Sequence, residues 1–263
     1  MRFAGFKNDT DSPFRLQSEK NRARGYRNGE KWKGNRMFGF MPTDTAAILL
    51  SAKVAVTATI LSLPLGFLFA YLMTFHRFRG KMFLDVLVNL PLALPPVVVG
   101  YFLLVLMGRK GWIGWFLEEI GIEVIFTWKA AAVASAVVGF PLLIRSIRIG
   151  MEGIDEKMIQ ASRTLGAKKY DALVTVILPL SFRGIVAGSF LMFARSLGEF
   201  GATIIVAGNI PGITQTIPLA IFDYASSPGG EKTALALCIV SVSFTLVILF
   251  FHEILAKRLV RRD

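Results

Sequence analysis

The stretch Ile48–Met73, ILLSAKVAVTATILSLPLGFLFAYLM, decides the fold class. It is apolar around the whole circumference of a 3.6-residue helix and is longer than the roughly 20 residues needed to cross about 30 Å of hydrocarbon. A surface helix of a soluble protein would instead show an apolar stripe and a polar face. The one charge, Lys53, stands near the start, where its aliphatic stem lets the ammonium snorkel to the interface. Pro64, with Gly66 beside it, predicts a kink that neighbouring helices must compensate.

Four further stretches have the same character: Phe83–Met107, Ala130–Ile149, Gly184–Val206 and Ala234–Leu255. The sequence therefore predicts an all-α integral membrane protein of about five spans. Composition agrees, because a hydrophobic fraction of 54% occurs together with a formal charge of +12, a pairing soluble domains seldom show. The second stretch is the most broken. Its Leu90-Pro91-Leu92-Ala93-Leu94-Pro95-Pro96 run loses a backbone donor at each proline. Broken backbone at membrane depth is tolerated only where it faces protein or a wet cavity, which makes Pro91, Pro95 and Pro96 candidates for a helix break on a pathway. A packing kink without a transport role is the alternative.

The charges are placed as membrane topology demands. Arg77, Arg79 and Lys81, then Arg145, Arg148, Lys157, Arg163, Lys168, Lys169 and Arg183, then Lys257, Arg258, Arg261 and Arg262 all fall on one side of a five-span count. On the other side Arg109 and Lys110 are offset by Glu118, Glu119 and Glu123, and Lys232 by Asp223 and Glu231. The positive-inside rule puts the basic set, and with it the C-terminus, in the cytoplasm. Trp112, Trp115 and Trp128 then lie at the outer interface, where indoles anchor helices. A nucleic-acid partner is not needed to explain the charge.

Residues 1–40 form a basic extension and 41–263 the membrane domain. Ten Lys/Arg precede Met37 against four acids (Asp9, Asp11, Glu19 and Glu30), with no apolar period, so the segment is expected to be disordered or non-native. An outer N-terminus so rich in base opposes the orientation signal, and the natural chain is expected to start near Met37 or Met41.

Enzymatic chemistry finds little purchase. Cys238 is alone, His76 and His252 have no ligand partners at metal spacing, and no Gly-x-x-x-x-Gly-Lys-Ser/Thr phosphate loop occurs. No bound cofactor or metal and no catalytic residue is expected, and any energy must come from a partner.

The most informative polar segment is Asp155–Tyr170. Asp155 is placed to cap a helix, Met158, Ser162 and Leu165 share one face, and Gly166 suits the left-handed position just past the end. A second helical pattern, Tyr170, Leu173, Val174 and Ile177, follows before Pro179. Here the chain resembles the permease subunits of ABC importers, whose cytoplasmic signature is Glu-Ala-Ala, three residues, Gly, nine residues, then Ile-x-Leu-Pro. The matching positions are Gln160, Ala161, Ser162, Gly166, Val176, Leu178 and Pro179, with Gln for Glu, Ser for Ala and Val for Ile as departures. The resemblance implies the type I importer fold and an ATPase-coupling role for Asp155, Gln160, Ala161, Ser162, Gly166, Leu178 and Pro179.

A narrower resemblance covers almost everything from Met41 onward. Leu94-Pro95-Pro96-Val97-Val98-Val99-Gly100-Tyr101, Ala194-Arg195-Ser196-Leu197-Gly198-Glu199-Phe200-Gly201-Ala202-Thr203 and Asn209-Ile210-Pro211-Gly212 are similar to the molybdate branch of these permeases. Sulfate permeases share the Gly-Glu-Phe-Gly type of segment, so that motif alone does not select the anion. The resemblance implies a second copy of the chain, two ATP-binding subunits that use ATP and Mg, an extracytoplasmic molybdate-binding protein and the bilayer as partners. A sulfate or thiosulfate permease is the alternative within the class; a channel or a membrane-embedded enzyme is the alternative outside it.

Arg195 and Glu199, one turn apart, are expected on one face inside the fourth span. Charges at that depth face a bundle interior or a wet cavity. They are candidates for the translocation path or for a structural ion pair, and the second reading is favoured because a fixed cationic trap would slow release.

Overall fold

The computed structural model describes residues 42–109 and 111–260, with 255–260 by backbone alone. The expectations for residues 1–40 therefore lie outside the described residues, as do Met41, Lys110, Arg261 and Arg262. The described elements are all helical. In chain order they are α1 (Pro42–Phe75), α2 (Lys81–Ala93), α3 (Pro96–Met107), α4 (Trp112–Glu119), α5 (Trp128–Glu152), α6 (Glu156–Thr164), α7 (Lys169–Leu180), α8 (Phe182–Leu197), α9 (Gly201–Ala207), α10 (Ile217–Ala225) and α11 (Glu231–Val260).

Among the described residues, three helices are long and apolar enough to cross a membrane singly: α1, α5 and, over Glu231–Ile254, α11. α1 continues as one helix through Pro64. Lys53 does not stand alone at the interface: its Nζ lies 3.8 Å from the centroid of the Trp128 ring, a cation–π contact that ties α1 to the start of α5.

Two expected spans are divided. The second is two helices, α2 and α3, whose axes turn by 114° at Leu94-Pro95. Pro91 is accommodated inside α2 and Pro96 opens α3, where a missing N–H costs nothing. The turn therefore comes at Leu94, which extends to ψ 146° as a residue before proline prefers. The fourth span was expected to be continuous over Gly184–Val206, but α8 stops at Leu197 and the chain resumes as α9 at Gly201. The division follows from Gly198, a weak helix residue, and from a side chain that caps α9.

The scaffold that positions these breaks is the antiparallel pair α5–α8. A Cβ on Gly150 would lie 2.9 Å from the Cα of Gly184, and one on Gly184 would lie 2.8 Å from the Ser146 carbonyl oxygen. Ser146 Oγ in turn donates to the Gly184 carbonyl at 3.2 Å. Small residues allow the backbones this approach, which is how helices gain packing energy where lipid removes the hydrophobic drive between them. Around the pair are two apolar cores. One gathers Val54, Val99, Ala130, Val138, Ala202 and Val206; the other gathers Ala58, Met73, Leu143, Ile147, Ile177 and Met192.

α10 is an element that the hydrophobic runs did not announce. Its first N–H, from Ile217, donates to Ser51 Oγ at 2.8 Å, and Tyr224 donates its hydroxyl to Asp44 Oδ1 at 2.7 Å. Burial, then the hydrogen bond and charge of Asp44, pushes the Tyr224 phenol up to about 12, so it remains a donor at neutral pH. By contrast α11 leaves Leu235, Ile239, Val242, Leu246 and Phe250 exposed along one face.

Candidate functional site

The knob Asp155–Leu180 is built by its caps. Asp155 Oδ1 accepts from the Lys157 N–H at 2.9 Å, closing the start of α6. At the other end the Ala167 N–H donates to the Ser162 carbonyl and the Gly166 N–H to the Arg163 carbonyl, both at 3.1 Å. This is a Schellman closure, and Gly166 takes the left-handed φ of +93° that it requires. No atom lies within 4 Å of where a Cβ on Gly166 would stand, so the preference for glycine is conformational and not steric.

Nothing of α6 is buried. Gln160 and Ala161 are exposed, Ser162 is half-buried with its hydroxyl donating to the Ile159 carbonyl, and Met158, Leu165 and Tyr170 present apolar surface outward, Leu165 at 88%. Ile159, Leu173 and Ile177 turn the other way and anchor the knob on the core that holds Met73, Leu143 and Ile147. Ile177, 3% exposed, occupies the variable position of the Ile-x-Leu-Pro signature, so the motif itself did not single it out. Leu173–Ile177 is a π-turn, closed by the Leu178 N–H donating to the Leu173 carbonyl. The wider turn precedes Pro179, whose ring would meet the carbonyl four residues back in a tight helix. Leu178 and Pro179 are both exposed.

At the second site the expected ion pair forms: Arg195 Nη1 is 2.7 Å from Glu199 Oε2. Its setting differs from the one expected, because the two residues do not share one helix. Arg195 belongs to the last turn of α8, whereas Glu199 lies in the break and its Oε1 accepts from the Ala202 N–H at 2.8 Å. The carboxylate thus serves two positive ends, a guanidinium and the N-terminus of α9. Its side chain is 1% exposed against 30% for Arg195. Buried hydroxyls of Ser196 and Thr203 flank the break without a protein partner among the described residues.

The two breaks also meet each other. A Cβ on Gly201 would lie 3.0 Å from Pro96 Cβ, and one on Gly100 would lie 2.8 Å from the Ala202 Cα. Pro95-Pro96 and Gly198–Gly201, far apart in sequence, therefore meet at one locus of interrupted backbone, where Pro95 and Gly198 are exposed and Pro96 and Gly201 half-buried; Pro91 stays helical in the last turn of α2, just before the turn. Such interruptions are stable when packed against protein.

A third group was missed by sequence reasoning. Arg148 Nη1 bonds Asp85 Oδ1 at 2.8 Å across α5 and α2, and Arg148 Nη2 lies 3.5 Å from Glu152 Oε1. Asn89 donates to the Asp85 carbonyl at 2.8 Å. Arg148 had been counted only as topological charge, and no spacing signal could pair residues from separate helices.

These features are those of a helical membrane permease with a capped, outward-facing helix between its spans, and the chain belongs to the family described as binding-protein-dependent transport system inner membrane component, which matches residues 62–261. Among curated relatives it is 50% identical over 212 residues to the Escherichia coli protein named Molybdenum transport system permease protein ModB, covering 80% of this chain and 93% of that one. It is 36% identical over 227 residues to the Salmonella typhimurium protein named Sulfate transport system permease protein CysT, covering 84% and 79%. The bacterial alginate ABC transporter solved with an alginate pentasaccharide-bound periplasmic protein superposes with a TM-score of 0.66 over 95% of this chain and 90% of that one, at 14% identity. At that identity the likeness establishes the fold alone, that of an ABC importer permease; the family and its curated relatives make the chain an all-α multi-pass protein of the inner membrane.

Proposed function

We propose that this chain forms the translocation path of an ATP-driven molybdate importer, with tungstate accepted alongside. The observation that carries the reading is the 50% identity across nearly the whole length of the Escherichia coli molybdenum permease, against 36% for the sulfate permease. The alignment covers the knob, the prolines of the α2–α3 turn and the Arg195–Glu199 break together.

Five crossings enclose too little wall for a sealed path, so the working unit is a homodimer. Two ATP-binding subunits seat on the exposed faces of α6, take the ATP and Mg, and do the hydrolysis; this chain is not an enzyme. An extracytoplasmic protein selects and delivers the anion. ATP binding favours one arrangement of the dimer and hydrolysis the other, each partner shifting the population by its differential affinity for the two. The basic loops and the C-terminus face the cytoplasm.

Reconstitution with the cognate ATPase and binding protein tests this. Labelled molybdate should enter vesicles only with ATP, tungstate should compete, and sulfate at equal concentration should not. Equal carriage of sulfate would reassign the anion; flux without ATP would make the chain a channel.

A further inference from the structure

A cavity of about 490 Å³ opens between α2 and α5, within the ~300–1,000 Å³ range of small-ligand pockets. Its chemistry comes from Asp85 and Asn89 on α2 and from Arg145, Arg148 and Glu152 on α5. α2 starts at Lys81, directly after the loop that carries Arg77 and Arg79, and α5 ends directly before the knob, so the cavity lies at the cytoplasmic end of both helices. Arg148 is half-buried and shared between two carboxylates, Asp85 at 2.8 Å and Glu152 at 3.5 Å. Arg145, one turn earlier, also lines the cavity; it is exposed and has no salt bridge among the described residues. The four charges cancel, so the empty cavity neither repels an anion nor traps one.

We propose that this cavity is a low-affinity site for a tetrahedral dianionic oxyanion leaving the path, with Arg145 as the first cation it meets and Arg148 as the second, gained by displacing Asp85. The proposal rests on the molybdate-transport reading. Two guanidiniums suit paired oxygens of an oxyanion, since each presents a planar fork of donors. Release requires weak holding, and the carboxylate that reclaims Arg148 supplies it. Asn89 fixes Asp85 from its own helix, so the competing group stays in place when the anion departs.

The experiment uses the full permease–ATPase complex in vesicles with the ATPase side outward, and with binding protein and labelled molybdate trapped inside. ATP added outside drives export, and unlabelled molybdate outside then reports the cytoplasmic site by slowing it. Relative to the wild type, Asp85→Asn should lower the half-inhibitory concentration about tenfold, and Arg145→Gln should raise it about tenfold, each removing one unit charge near the dianion. Arg145 is exposed and Arg148 keeps Glu152 in Asp85→Asn, so both variants should assemble. Normal export with inhibition unchanged in both variants, or absent throughout, would overturn the site while leaving the transport reading intact. A wild-type complex that exports no molybdate would overturn the transport reading and the site with it.

Discussion

Removing Arg195 should destabilise the protein more than removing Glu199, although they are partners in one ion pair. The carboxylate is 1% exposed and the guanidinium 30%. Arg195→Gln leaves a buried carboxylate with only the Ala202 N–H, and an uncompensated buried charge of this kind costs about 3–5 kcal/mol. Glu199→Gln leaves a cation that is already 30% exposed, so the cost should be about 1–2 kcal/mol, discounted for that exposure. It also keeps an oxygen able to accept from Ala202, whereas Glu199→Ala loses this cap and should add about 1 kcal/mol. The double variant Arg195→Gln with Glu199→Gln should recover most of the loss, because no unpaired charge remains. Thermal unfolding in detergent of the four purified variants measures the order. Equal destabilisation by the two single Gln variants, or greater loss in Glu199→Gln, would refute the burial argument. A stable Glu199→Gln protein with changed anion preference would show instead that the carboxylate touches the cargo.

Gly166→Val should cost on the order of 1 kcal/mol locally, since φ +93° is strained for a residue with a Cβ, and should weaken co-purification with the ATPase or its stimulation by loaded binding protein while the spans fold. Normal assembly and stimulation would remove the knob from the coupling role. Gly150→Ala must part α5 from α8 at a 2.9 Å contact and should lower stability by about 1–3 kcal/mol in the same melting assay, whereas Gly212→Ala, with nothing nearby, should cost only its φ of +76°. Tyr224→Phe removes the 2.7 Å bond to buried Asp44 and should cost about 1.5–3 kcal/mol, visible as earlier proteolysis of the α10 segment; unchanged protection would refute it.

Length and composition made the apolar stretches legible, because each crossing needs about 20 apolar residues, but they did not show that the fourth is divided. The knob was legible for a similar reason: Asp155 and Gly166 do local work, and their hydrogen bonds close within four residues or so. What could not be read was whatever depends on two helices meeting. Glu199 looked like a residue of a continuous helix because i, i+4 spacing survives a break; only the Ala202 N–H shows that it ends one helix and starts another. Asp85 and Arg148 are 63 positions apart, and Ser51 and Ile217 are 166 apart; neither pair has a local signature. α10 escaped notice because it is short and its polar residues, Asp223 and Tyr224, read as loop.

The same contacts bear on how a push at the knob could reach the path. α6 fully buries none of its side chains, and its link to the spans passes through its half-buried Ile159 and through Leu173 and Ile177 of α7 into a core shared with Met73, Ile147 and Met192. Ile147 and Met192 lie on α5 and α8, whose backbones touch through Gly150 and Gly184 and so cannot slide without separating. A displacement entering there would have α8 as its continuous path up to Leu197, where the helix ends. Beyond it α9 is fastened to α3 by the Gly100–Ala202 contact and to α8 by Glu199, a carboxylate that holds Arg195 on one side and the Ala202 N–H on the other. The ion pair therefore sits at the joint between α8 and the packed pair α3–α9, and its bonds are those that any change in the angle between them must strain.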